Sequence, residues 1–256
     1  MLIIVPSSES KRPPASSGNP VALDQLSFPS LGPTRRRIAD ALIETSADPD
    51  AFQRLQVRPT LAAQVVRNLQ LFELPAMPVL FVYTGPVHEG LAAAAWSHAA
   101  AARADRGLVV VSALWGALRP ADRIPPYRLY ICARLIGVDR LEPTWRAVLP
   151  SVLAEAAGDA GVIVDLRSPA YQATGMPAGL DDRTVTLRVA QSSGGARIGE
   201  VITKRVRGEA ASYLLESGAD PRDPRDLADV LADRWPVRIT SPERAGKPWT
   251  MTLSID

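Results

Sequence analysis

Residues 1–11 read MLIIVPSSESK, five apolar residues running straight into a polar, serine-rich turn. Met1–Val5 is an apolar run of the kind a buried strand makes. Gly107–Ser112 (GLVVVS) and Gly161–Leu166 (GVIVDL) share the form. Each leads directly into polar residues. The first is followed by Ser7, Ser8, Glu9 and Lys11, and the second closes on Ser112. The third leads into Asp165, Arg167, Ser168 and Tyr171. Apolar strands without alternation belong to sheets covered on both faces. Open α/β sheets bind ligands outside the carboxyl ends of their strands. If the three strands are neighbours, their ends converge on one polar cleft.

The rest of the chain intermixes helices and strands. Leu31–Ser46 reads as a helix capped by Thr34, with Ile38, Leu42 and Ile43 inward. Arg35–Arg37 fall in its first turn, against the helix dipole, so other groups are expected to contact them. Thr60–Phe72 repeats near 3.6 residues and reads as a helix. Val79–Tyr83 and Pro126–Cys132 read as strands. Leu141–Ala157 reads as a helix kinked or divided at Pro150. Thr184–Ala190 and Ile198–Thr203 flank a Ser-Ser-Gly-Gly turn and are expected to pair as a hairpin. Val206–Gly218 is a helix stopped by glycine, Arg225–Trp235 another. Pro236–Thr240 and Trp249–Ser254 are terminal strands. The expected fold is one α/β domain over residues 1–256, a mixed, largely buried sheet flanked by helices. Residues 20–78 form a mainly helical stretch that could stand as a subdomain.

Composition excludes several functions. Lys plus Arg number 29 against 27 acids, a net charge of +2, so bulk charge alone cannot coat nucleic acid. With only Cys132, His88 and His98, neither an internal disulfide nor a Cys/His metal centre is expected, and no cofactor is assigned. The apolar start is too short for a signal peptide, and Leu91–Ala102 is too short to span a bilayer. The expectation is a soluble, cytoplasmic protein with no membrane partner.

Two segments concentrate positive charge. Ser112–Arg128 reads SALWGALRPADRIPPYR and contains Trp115, Arg119, Asp122, Arg123, Tyr127 and Arg128. Interleaved arginine and aromatic residues suit phosphate contact with base stacking. The same residues also suit a structural corner, with Trp115 and Leu118 packed in the core. The second segment, Ile202–Gly208 (ITKRVRG), places Lys204, Arg205 and Arg207 at an expected strand-to-helix junction, with Gly208 allowing close approach to a ligand. Ser8 beside Lys11 has the composition of a Ser/Lys nucleophile pair. No phosphate loop of the GxxxxGK[ST] form and no GxGxxG is present.

These motifs together resemble the peroxide stress protein YaaA family, in its actinobacterial branch. The anchors are MLIIVPSSESK, SFPSLGPTRRR, VYTG at Val82–Gly85, VVVSALWGALRPADRIPPYRL, DLRSPAY, TKRVRG and the closing KPWTM. The resemblance implies an α/β fold peculiar to the family, with a helix-hairpin-helix-like element and a positively charged cleft. It also implies duplex DNA binding and protection against peroxide. Carried over by position, Ser8, Glu9, Lys11, Tyr83, Ser112, Arg119, Asp122, Tyr127, Arg128, Asp165, Arg167, Ser168, Lys204 and Arg207 would line that cleft. The chain departs from the family pattern at Ser10, at Tyr130-Ile131-Cys132 and at Arg205-Val206.

Two functional expectations follow. In the first, Arg119, Arg123, Arg128, Lys204 and Arg207 contact duplex phosphates, with Trp115 or Tyr127 beneath or stacking. In the second, the chain is an enzyme of specialised metabolism acting on a nucleotide-like or other anionic small molecule. Ser8, Glu9, Lys11 and Asp165 would then supply the chemistry. The number of carboxylates sharing the positive region separates the two.

Overall fold

A computed structural model describes residues 1–191 and 198–255. The three apolar runs form the strands expected of them. They are β1 (Leu2–Pro6), β2 (Leu108–Ser112) and β4 (Ile163–Asp165), each buried along its whole length. With β3 (Gly116–Leu118), β5 (Thr184–Gln191), β6 (Val237–Thr240) and β7 (Trp249–Ile255), they make a seven-stranded mixed sheet in the order β6-β7-β5-β4-β1-β2-β3. The five inner strands run parallel, and β3 and β6 close the two edges antiparallel. β1 lies between β2 and β4, with Ile3 opposite Leu108 on one side and Val164 on the other. The carboxyl ends of the three apolar strands are therefore adjacent.

Helices cover the sheet. They include α1 (Gly32–Ala47), α2 (Pro86–Leu91), α3 (His98–Gly107), α4 (Leu149–Ala157), α5 (Glu200–Ser217) and α6 (Pro224–Ala232). Residues 20–78 are mainly helical, and Leu31, Ile38, Leu42, Leu55 and Leu71 pack into the same apolar core as the sheet. Ser97 caps α3 and Asp223 caps α6 through their side chains. No helix among the described residues is long and apolar enough to cross a membrane.

Several local expectations are corrected. Thr34 does not cap α1, which starts at Gly32 with Pro33 in its first turn. Val79–Val82 is a single helical turn rather than a strand. Pro126–Cys132 runs without strand pairing; its apolar side chains Leu129 and Ile131 are nonetheless buried. Thr60–Phe72 breaks into short helical pieces. Leu141–Ala157 is divided, as Pro150 implied, with the proline at the start of α4. The expected hairpin partner of β5 does not form. Glu200–Thr203 opens α5, and β5 pairs instead with β4 and β7. The Ser-Ser-Gly-Gly turn lies outside the described residues.

α5 and α2 pack unusually close. A Cβ on Gly90 would lie 2.1 Å from the Arg205 carbonyl, and one on Gly208 would lie 2.0 Å from the Val87 carbonyl. Only glycine at both positions permits this approach. It brings the first two turns of α5, with Lys204 and Arg207, to the same cleft as the loop that follows β1.

Candidate functional site

A cleft of about 510 Å³ opens at the carboxyl ends of β1 and β4. One wall is Pro6–Ser10, the residues that leave β1, and a second is Leu166 with Ser168–Tyr171, the residues that leave β4. Gly85–His88, Tyr130, Ile131 and the α5 residues Glu200, Lys204 and Arg207 complete it. The volume falls within the range typical of small-molecule sites, about 300–1,000 Å³.

The loop after β1 is held by its own backbone contacts. Lys11 Nζ donates to the carbonyls of Ser8 (2.8 Å) and Glu9 (3.3 Å) and lies 4.0 Å from the centroid of the Tyr127 ring. Burial, reinforced by the nearby Arg128 charge, pushes the Lys11 amine down to about 7. The amine meets the Ser8 carbonyl rather than its hydroxyl, so the expected Ser/Lys nucleophile pair is not assembled. Ser8 Oγ instead accepts from the Ser10 amide at 3.1 Å. Arg128 Nη2 donates to Glu9 Oε2 at 2.6 Å, tying the loop to the 112–128 segment. Gly85 packs against Ser8 so closely that a Cβ would fall 2.1 Å from its hydroxyl oxygen.

Behind the loop lies a cluster of buried hydroxyls. Ser112 Oγ and Tyr127 Oη are 2.7 Å apart, and Tyr127 Oη is 3.0 Å from Tyr83 Oη. Ser7 Oγ and Tyr171 Oη are 2.9 Å apart at the cleft wall. Burial raises all three phenols above their ordinary range. His88 faces the Tyr83 ring and donates from Nε2 to the Pro6 carbonyl at 3.1 Å. Burial pushes its imidazole down to about 4, so it is neutral at physiological pH.

The sequence-derived candidates divide into two groups. Ser8, Glu9, Ser168, Tyr171, Lys204 and Arg207 line the cleft. Lys11, Tyr83, Ser112 and Tyr127 sit immediately behind it. The others are used elsewhere. Asp165 and Arg167 form a fully buried ion pair at 2.8 Å, and Arg167 also donates to the Tyr171 and Gly175 carbonyls. That pair shapes the loop that carries Ser168 and Tyr171, but offers Asp165 no open face for chemistry. Trp115 is fully buried and has no face on which a base can stack. Asp122 accepts from the Ser27 amide and hydroxyl and from the Arg119 amide. Arg119 donates to the Arg106 and Leu108 carbonyls, and Arg123 to the Ala76 carbonyl. The structural-corner reading holds for this stretch.

The ITKRVRG segment also requires correction. Lys204, Arg205 and Arg207 lie inside α5, not at a strand-to-helix junction, and Gly208 approaches a neighbouring helix rather than a ligand. Helical spacing sends Lys204 and Arg207 to the cleft. Lys204 Nζ pairs with Glu200 Oε1 at 2.7 Å, one turn earlier. Nε of Arg207 is buried and has no hydrogen-bond partner among the described residues. Burial lowers the Arg207 guanidinium, opposed by Asp165 and Glu200.

Sequence reasoning did not place His88 or Glu200 at a site, and marked Tyr130 and Ile131 only as departures from the family pattern. Each reaches the cleft through tertiary packing that no local pattern announces. The lining of the cleft therefore carries Glu9 and Glu200 beside Lys204 and Arg207. Among the described residues, no group of three or more Asp, Glu, His or Cys side chains is placed to hold a metal ion.

Comparison with known proteins agrees with the motif reading. Residues 1–238 match the family model described as peroxide stress protein YaaA. A UPF0246 protein of Streptomyces coelicolor is 35% identical over 100% of this chain and 98% of its own length. A UPF0246 protein of Corynebacterium efficiens is 33% identical over the full length of both chains, and one of Corynebacterium glutamicum is 32% identical over the same span. With a family model covering most of the chain and relatives matched from end to end, the chain belongs to the peroxide stress protein YaaA family.

Proposed function

We propose that the cleft binds a small anionic, nucleotide-like molecule, with Arg207 and Lys204 as its anion contacts. The observation that carries this reading is the buried Arg207 Nε. It is a charged donor without an acceptor among the described residues, in the wall of a cleft sized for one small molecule. A buried polar group left unpaired is costly, and an oxyanion relieves that cost. The lining balances Glu9 and Glu200 against Lys204 and Arg207, which suits a discriminating pocket better than a phosphate-tracking groove. Pro86, Val87, Tyr130, Ile131, Pro169 and Ala170 supply an apolar wall for the body of the ligand.

Duplex DNA binding, the partner implied by family resemblance, draws on the same cations but has less support. It requires Arg119, Arg123, Arg128, Lys204 and Arg207 on one open surface. Three of these are engaged with carbonyls or with Glu9. One set of titrations separates the readings. Adenosine monophosphate and inorganic phosphate are titrated calorimetrically, and a short duplex by fluorescence anisotropy at two salt concentrations. The small-molecule reading expects saturable binding of the monophosphate, weakened about 10-fold or more by Arg207→Met. No monophosphate binding, together with steeply salt-dependent duplex binding, would reverse the preference.

A further inference from the structure

We propose that His88 reads a hydroxyl on the ligand of the cleft, accepting from it at Nδ1. The ligand is then a phosphate ester with free sugar hydroxyls near its charge, of which a ribonucleotide is one. This rests on the small-anion reading above and narrows its ligand class. A bare oxyanion, or a nucleotide stripped of its ribose hydroxyls, would leave His88 unmet.

The tautomer of His88 follows from its partner. His88 lies on α2, lines the cleft and is 7% exposed. A carbonyl oxygen only accepts, so the contact of Nε2 with the Pro6 carbonyl at 3.1 Å places the ring proton on Nε2. A neutral imidazole has one such proton, which leaves Nδ1 as a bare lone pair. Burial pushes the imidazole down to about 4, so no second proton occupies Nδ1 at physiological pH. Nδ1 is buried, and no donor meets it among the described residues. A buried acceptor left unmet is costly, and an O–H or N–H from the ligand relieves that cost. The ring is held in place by Pro6 at Nε2 and by the Tyr83 ring, whose centroid is 5.1 Å away.

A second unmet group selects the kind of donor. α2 and α5 touch where Gly208 meets Val87, and the residues next to that contact, Arg207 and His88, both line the cleft. One offers a donor without an acceptor, the other an acceptor without a donor. A ligand that satisfies both carries an oxyanion and a donor close together. In a nucleoside monophosphate the sugar hydroxyls lie nearer the phosphate than any N–H of the base. An ammonium in the same place would be repelled by Lys204 and Arg207 in the cleft wall.

The test titrates the full chain calorimetrically with adenosine monophosphate and with its analogue lacking both ribose hydroxyls. Unsubstituted protein is expected to bind the analogue about 10-fold more weakly. His88→Gln keeps a donor for the Pro6 carbonyl and removes the acceptor. It is expected to bind the monophosphate about 10-fold more weakly, with little further loss for the analogue and an unchanged urea midpoint. His88→Asn does the converse, because its Oδ1 takes the place of Nδ1 and the Pro6 contact is lost. Its preference for the hydroxylated ligand should survive while the urea midpoint falls. Should a variant fail to fold, unsubstituted protein still decides, through the two nucleotides and through nitrogen resonances of labelled histidine. Nδ1 is expected to carry no proton, and to shift with the monophosphate far more than with the analogue. Equal binding of the two nucleotides by unsubstituted protein, a hydroxyl preference unchanged in His88→Gln, or a proton on Nδ1 would each overturn the role of His88. If Arg207→Met still weakened monophosphate binding in that case, the anion reading would stand without it. Failure of the monophosphate to bind unsubstituted protein at all would overturn the anion reading, and the role of His88 with it.

Discussion

The cleft beside β1 and the arginine-rich segment Ser112–Arg128 look alike in sequence and differ in how they use charge. In the segment, guanidinium groups satisfy backbone. Arg119 and Arg123 donate to carbonyls, and Asp122 gathers three donors from Ser27 and Arg119. Arg35, on α1, completes this region. It is fully buried and donates to the carbonyls of Trp115, Ala117, Ser27 and Phe28. In the cleft, Arg207 carries a buried Nε that no acceptor meets among the described residues, as does Arg128 Nε in the segment, but Arg128 spends its Nη2 on Glu9. An arginine that closes a loop and an arginine that awaits a ligand are the same letter; what separates them is the set of acceptors around each.

The comparison breaks most visibly at Arg35. Arg35→Met leaves four carbonyls short of a donor, and a loss of about 3–5 kcal/mol is expected in urea unfolding. Asp122→Ala should cost about 3 kcal/mol by the same measurement, since it strands the Ser27 and Arg119 donors. Adenosine monophosphate affinity should survive in whatever fraction remains folded. If either change abolished binding in folded protein, the two regions would not be separate. Arg207→Met should do the opposite, lowering affinity about 10-fold while leaving the urea midpoint unchanged or raised, because it removes a poorly solvated charge.

A pH-dependent effect distinguishes the loop after β1. Lys11 titrates near 7 in the folded protein and near 10.5 when unfolded. Between those values the unfolded chain holds a proton that the folded chain has released, so this group makes stability rise with pH across that window. Below about 7 both states carry the charge and its contribution no longer changes. The urea midpoint of Lys11→Met should lack this part of the rise. Equal pH slopes in the two proteins would show that the amine is not desolvated. The smallest effect is expected at Arg119→Met, about 1 kcal/mol of stability, with no change in affinity.

The sequence conveyed the sheet well and the site unevenly. Three apolar runs without alternation were sufficient to place β1, β2 and β4, because such runs have few other homes. Their polar sequels marked the loops that build the cleft. Helix and strand were confused where the signal was short or interrupted. Val79–Val82 begins and ends on a β-branched valine yet forms one helical turn, and Ile198–Thr203 follows turn residues yet enters α5. The second error mattered most. Read as a strand, Lys204 and Arg207 fall on opposite faces; in a helix, three residues apart, they share one. The buried arginines were legible only as charge, since nothing in a sequence states which carbonyls will need donors. His88 and Glu200 were silent for the same reason: the close approach of α2 and α5, permitted by Gly90 and Gly208, determines what they face.

The central claim is that the cleft, and not the arginine-rich segment, carries the anion site. The most direct measurement is a calorimetric titration of adenosine monophosphate into Arg207→Met and into the pair Arg119→Met with Arg123→Met. Binding weakened about 10-fold in the first and unchanged in the second is the expected result. Binding intact in Arg207→Met and lost in the Arg119 and Arg123 pair would contradict the account.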